Sequence, residues 1–126
     1  MIVIDSDALI EIYDKNSAKG EELLRRICES GEKPVITSIT LHEVLYGLQK
    51  YGKPVGDIVR LPVLGYEKED ARLAAELELR AEKHGVSVAR ADAMVAAIAI
   101  NSRAKLCTLN LRHFKRFEPF GLQLFR

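Results

Sequence analysis

The chain has only two cysteines, Cys28 and Cys107, far apart and each in an apolar context. That excludes a disulfide framework and a cysteine-based metal site, and both read as buried free thiols. No apolar stretch reaches the roughly 18 residues of a membrane-spanning helix. The amino terminus lacks a basic start and a cleavable apolar leader, so the chain is expected to be a mature cytoplasmic protein. Internal repeats, linkers and low-complexity tracts are missing too. The 126 residues are the length of one domain, expected to span 1–126. Strong net charge is also lacking, at +1 overall, but the distribution is uneven. From Asn101 onward, Arg103, Lys105, Arg112, Lys115, Arg116 and Arg126 stand against Glu118 alone, which leaves the rest of the chain acidic. A basic segment facing clustered carboxylates can hold a polyanion; the competing reading is a solvated surface.

What is present is led by Met1–Ile10, M-I-V-I-D-S-D-A-L-I. A short unbroken apolar run with Val and Ile predicts a strand buried on both faces. Asp5 then falls at its carboxyl end, where open α/β sheets bind ligands. The alternative for Asp5 or Asp7 is a helix N-cap, a position where Asp and Ser are favoured. Further on, periodicity predicts helices over 7–13, 18–30 (stopped by Gly31), 38–51, 67–84 and 87–101. Strands are expected at 34–37, 58–64 (an edge strand, given Pro62), 105–108 and 122–125. Strands alternating with helices imply an α/β fold with a central parallel sheet and helices on both faces.

Three further positions carry chemistry. Thr40-Leu41-His42-Glu43 fits a capping box, with Leu41, Val44, Leu45 and Leu48 as the apolar stripe below it. Glu43 points off that stripe and leans toward the helix start, hence toward the edge carrying Asp5; the alternative is a plain cap carboxylate. Asp92 lies within A-R-A-D-A-M-V-A-A-I-A-I, on the face of Val88, Val95, Ala96 and Ala99. An ionised carboxylate there is expected to need a partner or a metal, or else backbone amides near the helix start. Asn110, just past the strand 105–108, and Thr108 at its end can supply oxygen; the alternative for Asn110 is an ordinary turn residue. Gathered by a parallel sheet, Asp5, Glu43 and Asp92 would repel one another and raise each other's pKa. A divalent cation relieves this, and an all-oxygen donor set suits Mg²⁺ or Mn²⁺ rather than Zn²⁺.

The stretches I-V-I-D-S-D-A-L-I, T-S-I-T-L-H-E-V-L-Y-G, A-R-A-D-A-M-V-A-A-I-A and T-L-N-L-R-H-F, in that order, resemble a PIN-domain nuclease. Within that superfamily they are most similar to the VapC-type toxins of toxin–antitoxin pairs. The resemblance covers essentially the whole chain. It implies a three-layer α/β/α fold and Mg²⁺- or Mn²⁺-dependent endonucleolytic cleavage of RNA, leaving a 5′-phosphate and a 3′-hydroxyl. It also implies a homodimer neutralised by a small VapB-like antitoxin. Carried over by position, the acidic residues are Asp5, Glu43 and Asp92, all metal ligands, with Asn110 at the fourth position of the catalytic set. Asn there removes a negative charge and leaves occupancy of a second metal site open. Ser6, Asp7 and Thr108 are auxiliary, and Arg90, Arg112 and Lys115 are candidate phosphate contacts. The helical stretches 8–13, 18–30 and 44–51 are expected to line a groove for an antitoxin helix.

Other readings compete. A PIN-type housekeeping nuclease would carry the same residues, and loss of the fourth acid also permits a non-catalytic binding module. Asp5-Ser6-Asp7 also resembles the aspartate-nucleophile motif of haloacid-dehalogenase-type phosphatases. Against that, Leu9 stands where that motif has Thr or Val, and Thr108-Leu109-Asn110 stands where an acidic pair would follow a late strand.

Overall fold

The computed structural model describes all residues, Met1–Arg126. The opening apolar run forms strand β1 (Ile2–Ile4), buried throughout. Strand side chains alternate faces, so Val3 enters one core while Ile2 and Ile4 enter another. β2 (Pro34–Thr37) divides in the same way at Val35 and Ile36, and β4 (Lys105–Cys107) at Leu106 and Cys107. With the short β3 (Val63–Leu64) and β5 (Gln123–Leu124), these make a five-stranded parallel sheet in the order β3-β2-β1-β4-β5. β1 is the central strand.

Helices α1 (Ser6–Tyr13), α2 (Ala18–Ser30) and α3 (Ser38–Lys50) pack on the face of Ile2 and Ile4. On the face of Val3 lie α4 (Lys68–Lys83), α5 (Arg90–Asn101) and α6 (Leu111–Phe114), the last followed by a 3₁₀ turn over Lys115–Phe120. This is the expected α/β/α arrangement. Right-handed crossovers require opposite faces for opposite directions of travel across a sheet. The chain moves outward from β1 to β3 over the first face. It then returns to β4 and β5 over the second. The neighbours β1 and β4 therefore send their following helices, α1 and α6, to opposite faces. That reversal opens a crevice at their carboxyl ends, where ligands bind in open α/β sheets.

Four local expectations are corrected. The strand expected over 58–64 begins only after Pro62; Gly56–Arg60 is a 3₁₀ turn instead. Pro62 cannot donate to a ladder, but its carbonyl accepts the Ile36 N–H at 3.0 Å and starts β3 at the sheet edge. The helix expected from residue 87 starts at Arg90. Cys28 is exposed, while Cys107 is buried as expected. The capping box at Thr40 is not formed. The N-cap of α3 is Thr37, whose Oγ1 accepts the Thr40 N–H at 3.0 Å, and Thr40 itself is buried in the first turn. Thr37 has no Glu or Gln three positions on to complete a box, but a threonine suffices as an N-cap and the end of β2 places the helix start there. Thr37→Ala is expected to cost about 1–2 kcal/mol of stability, read by urea unfolding; a change below about 0.3 kcal/mol would mean the cap contributes nothing.

Candidate active site

Asp5 ends β1 with its amide donating to the Cys107 carbonyl at 2.9 Å, which ties it to the end of β4. It occupies the N-cap position of α1 but makes no capping hydrogen bond. The capping alternative therefore fails for its side chain, which faces the crevice, where Oδ2 accepts from Thr108 Oγ1 at 3.1 Å. Asp5 is 6% exposed, and its pKa is pushed up to about 7. Burial is the main cause, Asp7 adds repulsion and Asp92 adds a little more; the Ser6 amide and Thr108 hydroxyl offset only part of it. Burial and neighbouring carboxylates are the two causes by which active sites also raise a carboxyl this far.

Glu43, on α3, is also raised, first by burial and then by Asp92, against a stabilising Ser6 hydroxyl. Asp92 thus acts on both Asp5 and Glu43, and the three carboxylates expected from the sequence share one electrostatic neighbourhood. Asn110 follows β4 as the N-cap of α6; its N–H donates to Thr108 Oγ1 at 3.0 Å, and its exposed side chain makes no capping bond.

The argument from burial of Asp92 is corrected. Its side chain is 30% exposed in the first turn of α5, where an acid is favoured by the helix dipole, and its Oδ2 lies 2.9 Å from His113 Nε2. Helical phase gave the right face but not the distance from the helix end, which is what lets Asp92 reach the crevice. The His113 ring sits beside that carboxylate without aligning an N–H on it. His113 is the site neighbour that sequence reasoning missed; it stands in the quoted T-L-N-L-R-H-F, with no periodic signal to single it out.

The basic residues separate. Arg90 turns away from Asp92 and pairs with Glu78 of α4 at 3.1 Å. Lys105 pairs with Glu32 at 2.7 Å, and Arg126 with Glu118 at 3.2 Å. Arg112 and Lys115 are exposed on and just after α6, close to Asn110 in the chain. A cleft of about 220 Å³ lies between α1 and α3, lined by Ile10, Val44, Leu48 and Tyr51 and reaching Glu43.

The residues present suit a hard divalent cation in their chemistry: oxygen donors, mutual repulsion, and a buried Asp5 whose charged form needs a counter-charge. In the conformation described, no three of them converge on a single ligating point.

Residues 2–118 match the PIN domain family model. The chain belongs to the PIN-domain family. It is 31% identical over 112 residues to the tRNA(fMet)-specific endonuclease VapC of Salmonella typhimurium, covering 83% of this chain and 85% of that protein. To ribonuclease VapC2 of Haemophilus influenzae it is 29% identical over 121 residues, covering 90% of this chain and 89% of that protein. This PIN domain thus stands with the VapC ribonucleases, and it is a nuclease of that type. Its fold matches the crystal structure of VapBC2 from Rickettsia felis bound to a promoter DNA fragment, with a TM-score of 0.82 at 24% identity and coverage of 99% and 98% of the two chains. DNA-bound VapBC from Salmonella typhimurium gives a TM-score of 0.78 at 26% identity, covering 98% and 96%. Membership of the PIN family removes the phosphatase reading of Asp5-Ser6-Asp7. No helix is long and apolar enough to cross a membrane.

Proposed function

We propose that this PIN domain is a Mg²⁺- or Mn²⁺-dependent endoribonuclease, the toxin of a toxin–antitoxin pair. The observation that carries the reading is the buried Asp5 carboxyl, raised to about 7 at the β1–β4 crevice with Asp92 and Glu43 acting on the same space. When bound, the cation supplies activation of water and neutralisation of charge on the phosphodiester. Asp5, Glu43 and Asp92 would hold it. Thr108 keeps Asp5 oriented through its hydroxyl. Asn110 presents a neutral amide where a fourth acid would stand, which favours one ion over two. Arg112 and Lys115 contact the RNA backbone, whose phosphates dominate affinity. Arg90, whose exposed guanidinium pairs with Glu78, is a further candidate contact to that backbone. The products are a 5′-phosphate and a 3′-hydroxyl.

The partner in this reading is a small VapB-like antitoxin, supported by the VapBC complexes among its structural relatives. Its helix would occupy the cleft between α1 and α3, beside the exposed Tyr51. The toxin acts in the cytoplasm as a homodimer.

The test is cleavage of an end-labelled RNA with Mn²⁺ or Mg²⁺, with and without EDTA. EDTA should abolish cleavage, and Asp92→Asn should lower its rate by about 10²–10³-fold. Cleavage that survives EDTA overturns the mechanism. No cleavage of any RNA, with no Mn²⁺ binding, would mark a non-catalytic module.

A further inference from the structure

Asp7 lies in the first turn of α1, on one wall of the crevice, half-buried. Its Oδ1 accepts the adjacent Ala8 N–H at 2.6 Å and, across the crevice, the Leu109 N–H at 3.2 Å. Thr108 Oγ1 stands 3.4 Å from each Asp7 oxygen and 3.1 Å from Asp5 Oδ2. The same Thr108 oxygen accepts the Asn110 N–H at 3.0 Å. The contacts of Asp5 and Asp7 with Thr108 and Leu109 join residues 101 to 103 positions apart in the chain.

The short link Thr108–Asn110, between β4 and α6, has lost its strand neighbour, because β1 has already turned into α1 toward the other face. A partly buried peptide N–H at such a point needs an acceptor from elsewhere. Asp7 supplies one. Standing beside Asp5, Asp7 also brings a repulsive charge into the site. Its bonds across the crevice are the compensating gain.

We infer that Asp7 is a positioning residue for RNA cleavage: it clamps the β4–α6 link across the crevice and so holds Thr108 against Asp5, with Asn110 tied to Thr108. This rests on the nuclease reading above. Asp7 acts by accepting hydrogen bonds rather than by its charge, so asparagine should replace it. In Asp7→Asn the amide oxygen still receives the Leu109 N–H. The amide nitrogen can donate to Thr108 Oγ1, which leaves the Thr108 proton for Asp5.

The experiment compares the wild type with Asp7→Ala and Asp7→Asn, measuring kcat and KM for RNA cleavage in Mn²⁺ and amide hydrogen exchange by NMR. Asp7→Ala should lower kcat about 10–100-fold with KM within about threefold, the scale found when groups supporting metal ligands are removed. Its Leu109 amide should exchange at least about tenfold faster, while the Asp5 amide, bonded to the Cys107 carbonyl, stays protected and reports an intact sheet. Asp7→Asn should restore both kcat and Leu109 protection to within about threefold of the wild type. An Asp7→Asn protein as inactive as Asp7→Ala would show that the charge itself is required, and would overturn the inference. So would an Asp7→Ala protein with unchanged kcat or a still-protected Leu109 amide. Failure of the wild type to cleave RNA in any cation would sink the nuclease reading instead, and the exchange data would still report whether the clamp exists.

Discussion

Asp5→Asn should abolish RNA cleavage, by about 10³-fold or more, while making the metal-free protein more stable. The two effects share one cause. The Asp5 carboxyl is buried beside Asp7 and Asp92, and its ionised form is disfavoured until a cation arrives. Its folded-state pKa, about 7, lies above its ordinary carboxylate value of 3.8. The stability it contributes is therefore fully present below about pH 4 and is lost as pH rises through about 7. Above that pH the penalty is about 2–4 kcal/mol, since one pKa unit corresponds to about 1.4 kcal/mol. Asparagine has nothing to ionise, so at pH 8 in EDTA it should raise the melting temperature by several degrees and flatten the fall in stability between about pH 4 and 7. An Asp5→Asn protein that is less stable than the wild type at pH 8 would mean the carboxylate is a structural group.

Gly20→Ala should produce the largest loss of stability, about 3 kcal/mol or more despite alanine's better helix propensity. A Cβ at position 20 would overlap the backbone carbonyl of Glu11, because α2 crosses α1 at this glycine. The junction is tied further by Ser17, which caps α2 by accepting the Gly20 N–H at 3.0 Å and donates to the Glu11 carboxylate at 2.6 Å. Neither backbone can yield without moving α1, which begins at Asp5. Urea unfolding should show the loss in stability, and cleavage measured well below the melting temperature should fall as α1 shifts. A change smaller than about 1 kcal/mol would mean the helices separate freely.

Much of this arrangement was legible in the sequence. Ile2–Ile4 running into Asp5 announced a doubly buried strand ending in an acid, and the structure makes it the central one. The long helices were readable because amphipathic periodicity accumulates over several turns. What failed were features set by neighbours. The strand at 58–64 shrank because Pro62 starts it at an edge. The cap moved from Thr40 to Thr37 because β2 ends there. Gly20 carries no such signal in the sequence, since its reason lies in α1. Asp92 was assigned to the right neighbourhood for a partly wrong reason, being half-exposed beside His113 rather than buried without a partner. Asp7 was legible as an acid near the site, but its contacts with Thr108 and Leu109 depend on the strand order, which periodicity does not encode.

The central claim is that the Asp5 carboxyl belongs to a cation site. Calorimetric titration of Mn²⁺ into the protein at pH 7, repeated in buffers of different ionisation enthalpy, tests it most directly. The wild type should bind saturably and release about half a proton per ion, because a carboxyl with a pKa near 7 is half-protonated there and must ionise to ligate. Asp5→Asn should show neither the binding nor the proton release. Mn²⁺ binding of equal affinity and equal proton release in both proteins would contradict the account.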